Sequence, residues 1–137
     1  MTQTALRRQR WCIVGAVACL ACAAVLAAQP AAGRYAAQWC VAVPNAQREC
    51  GPAEAEWRTG GRARVRISDI VYILQLHTSQ VDVVLKHGAM QIDGFTAIYE
   101  WDGATLRFVD ADKNVRYELR SEALLPQQTQ PRPAAGR

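Results

Sequence analysis

The sequence lacks the signatures by which many enzymes are recognised. Only two histidines, His77 and His87, occur in 137 residues. There is no G-x-S-x-G, H-E-x-x-H or G-x-G-x-x-G, and no glycine loop of the phosphate-cradling type. Those absences remove only the easy cases, the motif-bearing hydrolases, the helix-borne zinc peptidases and the common nucleotide-binding folds; the protein is expected not to be an enzyme and to need no cofactor. A large excess of one charge is also missing once the N-terminus is set aside. The formal charge is +4, but Arg7, Arg8 and Arg10 supply most of it, and without them 13 Lys+Arg stand against 12 Asp+Glu. A nearly neutral remainder has no bulk attraction for DNA or RNA, and nucleic acid is not expected as a partner.

An apolar leader is present. Behind those arginines runs an almost uninterrupted apolar stretch from Trp11 to Ala28, ending in small residues before Pro30. That order of basic, apolar and small segments is the secretory signal pattern, with cleavage expected after Ala27. The same run is at the lower limit for crossing a bilayer, so an uncleaved anchor is the alternative. Acylation at Cys19 or Cys22 and twin-arginine export have weaker sequence contexts. All of these readings export the following residues. The domain is expected to be periplasmic or secreted, or, with the anchor kept, exposed outside the inner membrane. Richness in alanine, arginine, glycine and proline suggests a bacterial cell envelope.

Of five cysteines only Cys40 and Cys50 follow the leader. In an oxidising compartment an isolated pair bracketing Pro44 and Asn45 is expected to form a disulfide. A metal site would want histidines nearby, and a redox pair closer spacing.

The rest divides into a linker over 28–38, a disulfide-bearing segment over 39–61 in which "PAEAEW" suits a turn of helix, a β region over 62–122, and a proline-rich tail over 123–137 expected to be disordered. In the β region Ala63, Val65 and Ile67 alternate with Arg62, Arg64 and Arg66, and a phase slip near Ser68-Asp69 marks a bulge or corner. "DIVYILQLHTSQVDVVLKHG" reads as a hairpin with Leu76 opposite Val81 and Leu74 opposite Val83. Asp93-Gly94 and Asp102-Gly103 read as two further hairpin turns, and residues 110–113 as a four-residue loop. Both turns put Phe95, Ala97, Tyr99 and Trp101 on one inner face, and the loop keeps that face apolar while setting Arg107 against Arg116. The expected fold is all-β: a single small domain of about seven short antiparallel strands, a meander closing toward a small barrel or sandwich.

Several constellations are candidates for function. Arg62, Arg64 and Arg66 form a one-sided cationic stripe suited to phosphates, an acidic glycan or an acidic protein face, or else to guarding a strand edge. Val71, Ile73 and Val84 make the neighbouring hairpin apolar on both faces, which calls for a cover: the Trp39–Trp57 segment, a second copy of the chain, or a ligand. In that register His77 and His87 are too far apart to share a metal. Asp110, Asp112 and Asn114 follow the start of a calcium-loop pattern but lack its glycine and its final acid, and suit a turn. Trp39, Trp57, Trp101 and Tyr99 are candidates for sugar stacking or for the core. The expected function is non-catalytic binding of a protein or glycan of the envelope. The alternatives are a membrane-tethered structural subunit and an inhibitor of a wall-degrading enzyme.

Overall fold

The computed structural model describes residues 29–127; the expected signal or anchor segment and residues 128–137 of the tail lie outside them. Eight strands follow one another: β1 (Gly33–Ala42), β2 (Glu49–Arg58), β3 (Arg62–Ile67), β4 (Ile70–Leu76), β5 (Gln80–His87), β6 (Met90–Asp102), β7 (Thr105–Asp110) and β8 (Val115–Leu124). Each is antiparallel to the next, and β1 also pairs with β8, so the meander closes into a barrel.

The period of two explains the interior. Ala37 and Trp39, Ala55 and Trp57, Ala63 and Val65, Leu74 and Leu76, Val81 and Val83, Leu106 and Phe108, and Tyr117 and Leu119 all point inward and are buried. Small and large side chains alternate to fill the space: Trp57 lies opposite Ala63, and Ala55 opposite Val65. The Trp57 indole N–H donates to the Ser121 hydroxyl at 3.1 Å. The rings of Trp39, Tyr72, Phe95, Phe108 and Tyr117 fill the end nearer the disulfide, with Phe108 stacked on Tyr117 at 5.2 Å.

Several expectations need correction. The β domain begins at Gly33, inside the expected linker, and runs to Leu124, just inside the expected tail. "PAEAEW" is the middle of β2 rather than a helical turn, because Ala53, Ala55 and Trp57 take the inward positions while the glutamates face out. The slip at Ser68-Asp69 is the two-residue turn between β3 and β4, with Ser68 at φ 55°. Asp93-Gly94 is no turn: β6 continues through it with a register shift at Ile92, Phe95 pairs with Val83, and the chain reverses at His87–Met90 with Gly88 at φ 59°. The next turn is Gly103-Ala104, and the last loop is residues 111–114. Both are displaced by one residue, which alters the pairs but not the faces. Arg107 therefore meets Glu118 instead of Arg116. The β4–β5 hairpin has the expected register.

The topology sorts the loops. One end of the barrel carries the β1–β2 loop beside the disulfide and the β3–β4, β5–β6 and β7–β8 turns. The other carries the remaining turns together with the start of β1 and the end of β8, where the Leu125 amide donates to the Arg34 carbonyl at 2.7 Å.

Candidate functional site

Strand pairing assembles the cationic stripe and the apolar positions into one outer face. Arg64 lies opposite Ile73, which lies opposite Val84; Arg66 lies opposite Val71, which lies opposite Lys86; Arg62 lies opposite Gln75. The three arginines are exposed, and Val71, Ile73 and Val84 are half-buried beside them. The Trp39–Trp57 segment does not cover them, because its large side chains point into the barrel.

The ion pairing on this face is uneven. Glu54 and Glu56 stand opposite Arg66 and Arg64 on β2, but Glu54 is held by Arg34 at 2.6 Å and Glu56 by Arg58 at 3.0 Å. Among the described residues Arg62, Arg64 and Arg66 have no carboxylate within bridging distance. Successive arginines on one strand face leave the backbone about 6–7 Å apart, and each guanidinium offers a planar, two-pronged donor that matches carboxylate, sulfate or phosphate. A recess of about 160 Å³ opens at the Arg62 end, lined by Glu56, Arg58, Arg62, Ala63, Arg64 and Ile73.

The other candidates resolve differently. Cys40 and Cys50 face each other on β1 and β2 and form the disulfide. His77 and His87 sit at opposite ends of the β4–β5 hairpin, each against its own acid: His77 with Asp82 at 2.8 Å, His87 with Asp69 at 2.7 Å. The Thr96 hydroxyl also donates to Asp82, at 2.7 Å. Because the hydroxyl binds the carboxylate rather than the imidazole, His77 is not placed to take its proton as a general base. The Thr96 bond, then the His77 bond, lowers the Asp82 carboxyl below the ordinary carboxylate range, and the His87 bond does the same for Asp69. Asp110 is buried, and its Oδ1 accepts the amides of Asp112 and Lys113 at 3.1 and 3.4 Å, which is turn chemistry. Trp39 and Trp57 are buried and Trp101 and Tyr99 pack on the core, so these aromatics make no sugar platform.

One surface is not visible in the sequence. A groove of about 440 Å³ opens where β6 parts from the β7–β8 pair, lined by outward residues that include Ile98, Val109, Arg107 and Glu118 and reaching the inward rings of Tyr99, Phe108 and Tyr117. Ile98 and Val109 stand at outward strand positions, a usable signal only once the register is known.

No known protein family matches this chain, and no curated protein sequence or solved structure matches it.

Proposed function

We propose that this barrel is an exported, non-catalytic binding domain of a bacterial cell envelope that holds an acidic protein or glycan on the Arg62, Arg64 and Arg66 face. The observation that carries the reading is the ion pairing: neighbouring glutamates are claimed by other arginines, leaving three exposed guanidinium groups beside the Val71, Ile73 and Val84 row. Unpaired arginines next to apolar area suit an acidic surface with aliphatic or sugar-ring faces. Reversing all three, R62E/R64E/R66E, is expected to abolish capture of the partner from an envelope extract while leaving the melting temperature within a few degrees. Undiminished capture by the folded variant would overturn the proposal.

A second reading is the membrane-tethered subunit. The start of β1 and the end of β8 leave from the same end of the barrel, so a retained anchor would hold that end at the membrane and point the disulfide end away. Intact mass and fractionation separate the two: a soluble species beginning near Ala28 supports the free domain, and a full-length membrane species supports the tether.

A further inference from the structure

β6 is 13 residues long but pairs with β7 only from Tyr99 to Asp102. From Met90 to Ile98 it has β5 on one side and no strand on the other. The register joining Tyr99 to Phe108 would set Ile98 opposite Val109, yet the strands part there. The opening is bridged by the ion pair of Lys113 with Asp93, with Phe95 stacked on Tyr117 beneath.

A strand edge of this kind presents backbone donors and acceptors to any further strand, and proteins usually guard it with charge, proline or short length. This one is guarded at one point, by the Asp93–Lys113 pair and the irregular pairing at Ile92, while Gly94 to Ile98 carries no charge or proline. Among the described residues four of the six exposed large apolar side chains flank the opening: Met90 at 63%, Ile92 at 49%, Ile98 at 75% and Val109 at 39%. Charges of both signs surround it, with Asp110 and Asp112 also near Lys113. Asp93 and Lys113 stand at the Met90 side, and Glu100 and Glu118 with Arg107 and Arg116 stand at the Ile98 side.

We propose that the free edge of β6 is a homodimer interface, in which Met90–Ile98 pairs antiparallel with the same segment of a second copy. About nine residues give a seam roughly 30 Å long. Pairing a segment with itself about a two-fold axis sets its Met90 and Ile92 end against the Ile98 and Val109 end of the other copy, so apolar side chains meet apolar ones. This match of apolar ends chooses a second copy as the occupant, and the ion pairs beside it, Lys113 with Asp93 and Arg107 with Asp102 and Glu118, are closed within each copy, whereas the arginine face of β3 would repel its own copy. The seam lies on β6 and leaves β3 and β4 open.

Sedimentation velocity on the chain expressed with its own leader, from about 1 to about 300 μM, spans the range in which an edge-paired dimer resolves. The wild type is expected to pass from monomer to dimer. Ile98→Lys with Val109→Lys, both at outward positions, is expected to weaken dimerisation at least tenfold. Hydrogen exchange is expected to slow with rising concentration at the amides of residues 91–98. R62E/R64E/R66E should dimerise like the wild type while losing its partner, which separates this inference from the binding reading. A wild type that stays monomeric throughout, a lysine variant that dimerises unchanged, or concentration-dependent protection on another strand instead would each overturn it.

Discussion

Opening the Cys40–Cys50 bond isolates what the cross-link contributes apart from the sheet. The two cysteines already face each other across the β1–β2 pair, so the folded wall needs no rearrangement to lose the bond. The effect therefore falls mainly on the unfolded chain. With a sequence separation of 10, the loop-closure expression gives about 2.7 kcal/mol at 25 °C. Urea unfolding followed by the fluorescence of buried Trp39 and Trp57 reads it directly, with and without a phosphine reductant. With a denaturant slope of about 1–3 kcal/mol/M, the midpoint should fall by roughly 0.9–2.7 M. Cys40→Ala with Cys50→Ala is the matching variant, since alanine adds no polar group at the buried position 40. An unchanged midpoint at unchanged slope would refute the argument, showing that the reduced chain is no freer than the bridged one.

Other outcomes follow from burial and charge. Leu74 is fully buried, and Leu74→Ala should cost about 3–5 kcal/mol in the same titration. Ala55 is equally buried, and Ala55→Leu should cost about 1–3 kcal/mol by overfilling the barrel. Burial pushes the Tyr117 hydroxyl up to about 12, above its unfolded value of about 10. Its contribution is therefore complete below the unfolded value and is lost as pH rises toward the folded one, so Tyr117→Phe should unfold less steeply between those limits in alkaline melts. The Asp82 carboxyl is lowered instead, so its contribution is present above the unfolded value of about 4 and is lost as pH falls through the folded one. Thr96→Val, which removes the first cause, should raise the Asp82 titration midpoint measured by NMR.

Strands rich in branched and aromatic residues were legible before any coordinates. The β4–β5 hairpin register follows from Leu74, Leu76, Val81 and Val83 alone, and the inner face of β6 and β7 survives turns displaced by one residue, because parity is unchanged. The stripe of Arg62, Arg64 and Arg66 was legible too, as was its proximity to Ile73 once the β3–β4 turn is recognised. β1 and β2 were not. Their inward residues include Ala37, Ala53 and Ala55, whose weak strand preference hides the period, and Pro52 within β2 argues against a strand. Alanine belongs there for a reason invisible locally: the space inside is already taken by Trp39 and Trp57. The β6–β8 groove and the free edge were hidden for another reason, since both depend on where pairing stops, and no single strand's pattern encodes that.

Asp93-Gly94 offers the sharpest test of that last point. As a hairpin turn it would hold Gly94 at positive φ, and a side chain there would strain the backbone. In β6, Gly94 is not among the residues with positive φ, it lies opposite Val84, and a Cβ would meet the Gln91 side-chain nitrogen at 3.2 Å and the Val83 carbonyl at 3.5 Å. The nearer contact is a flexible tip that can move. The Asp-Gly pair is explained instead by Asp93, whose Oδ1 accepts the Gly94 amide at 2.8 Å while Oδ2 bridges to Lys113. Gly94→Ala should therefore leave stability unchanged or raise it by up to about 1 kcal/mol, because it restricts only the unfolded chain. Gly61→Ala is the control: φ is 79° and the new Cβ would come within 2.7 Å of the Leu76 carbonyl oxygen, so a loss above about 1 kcal/mol is expected. A comparable loss at Gly94 would mean that the chain turns there. The β6 strand would then end early, and the free edge with it.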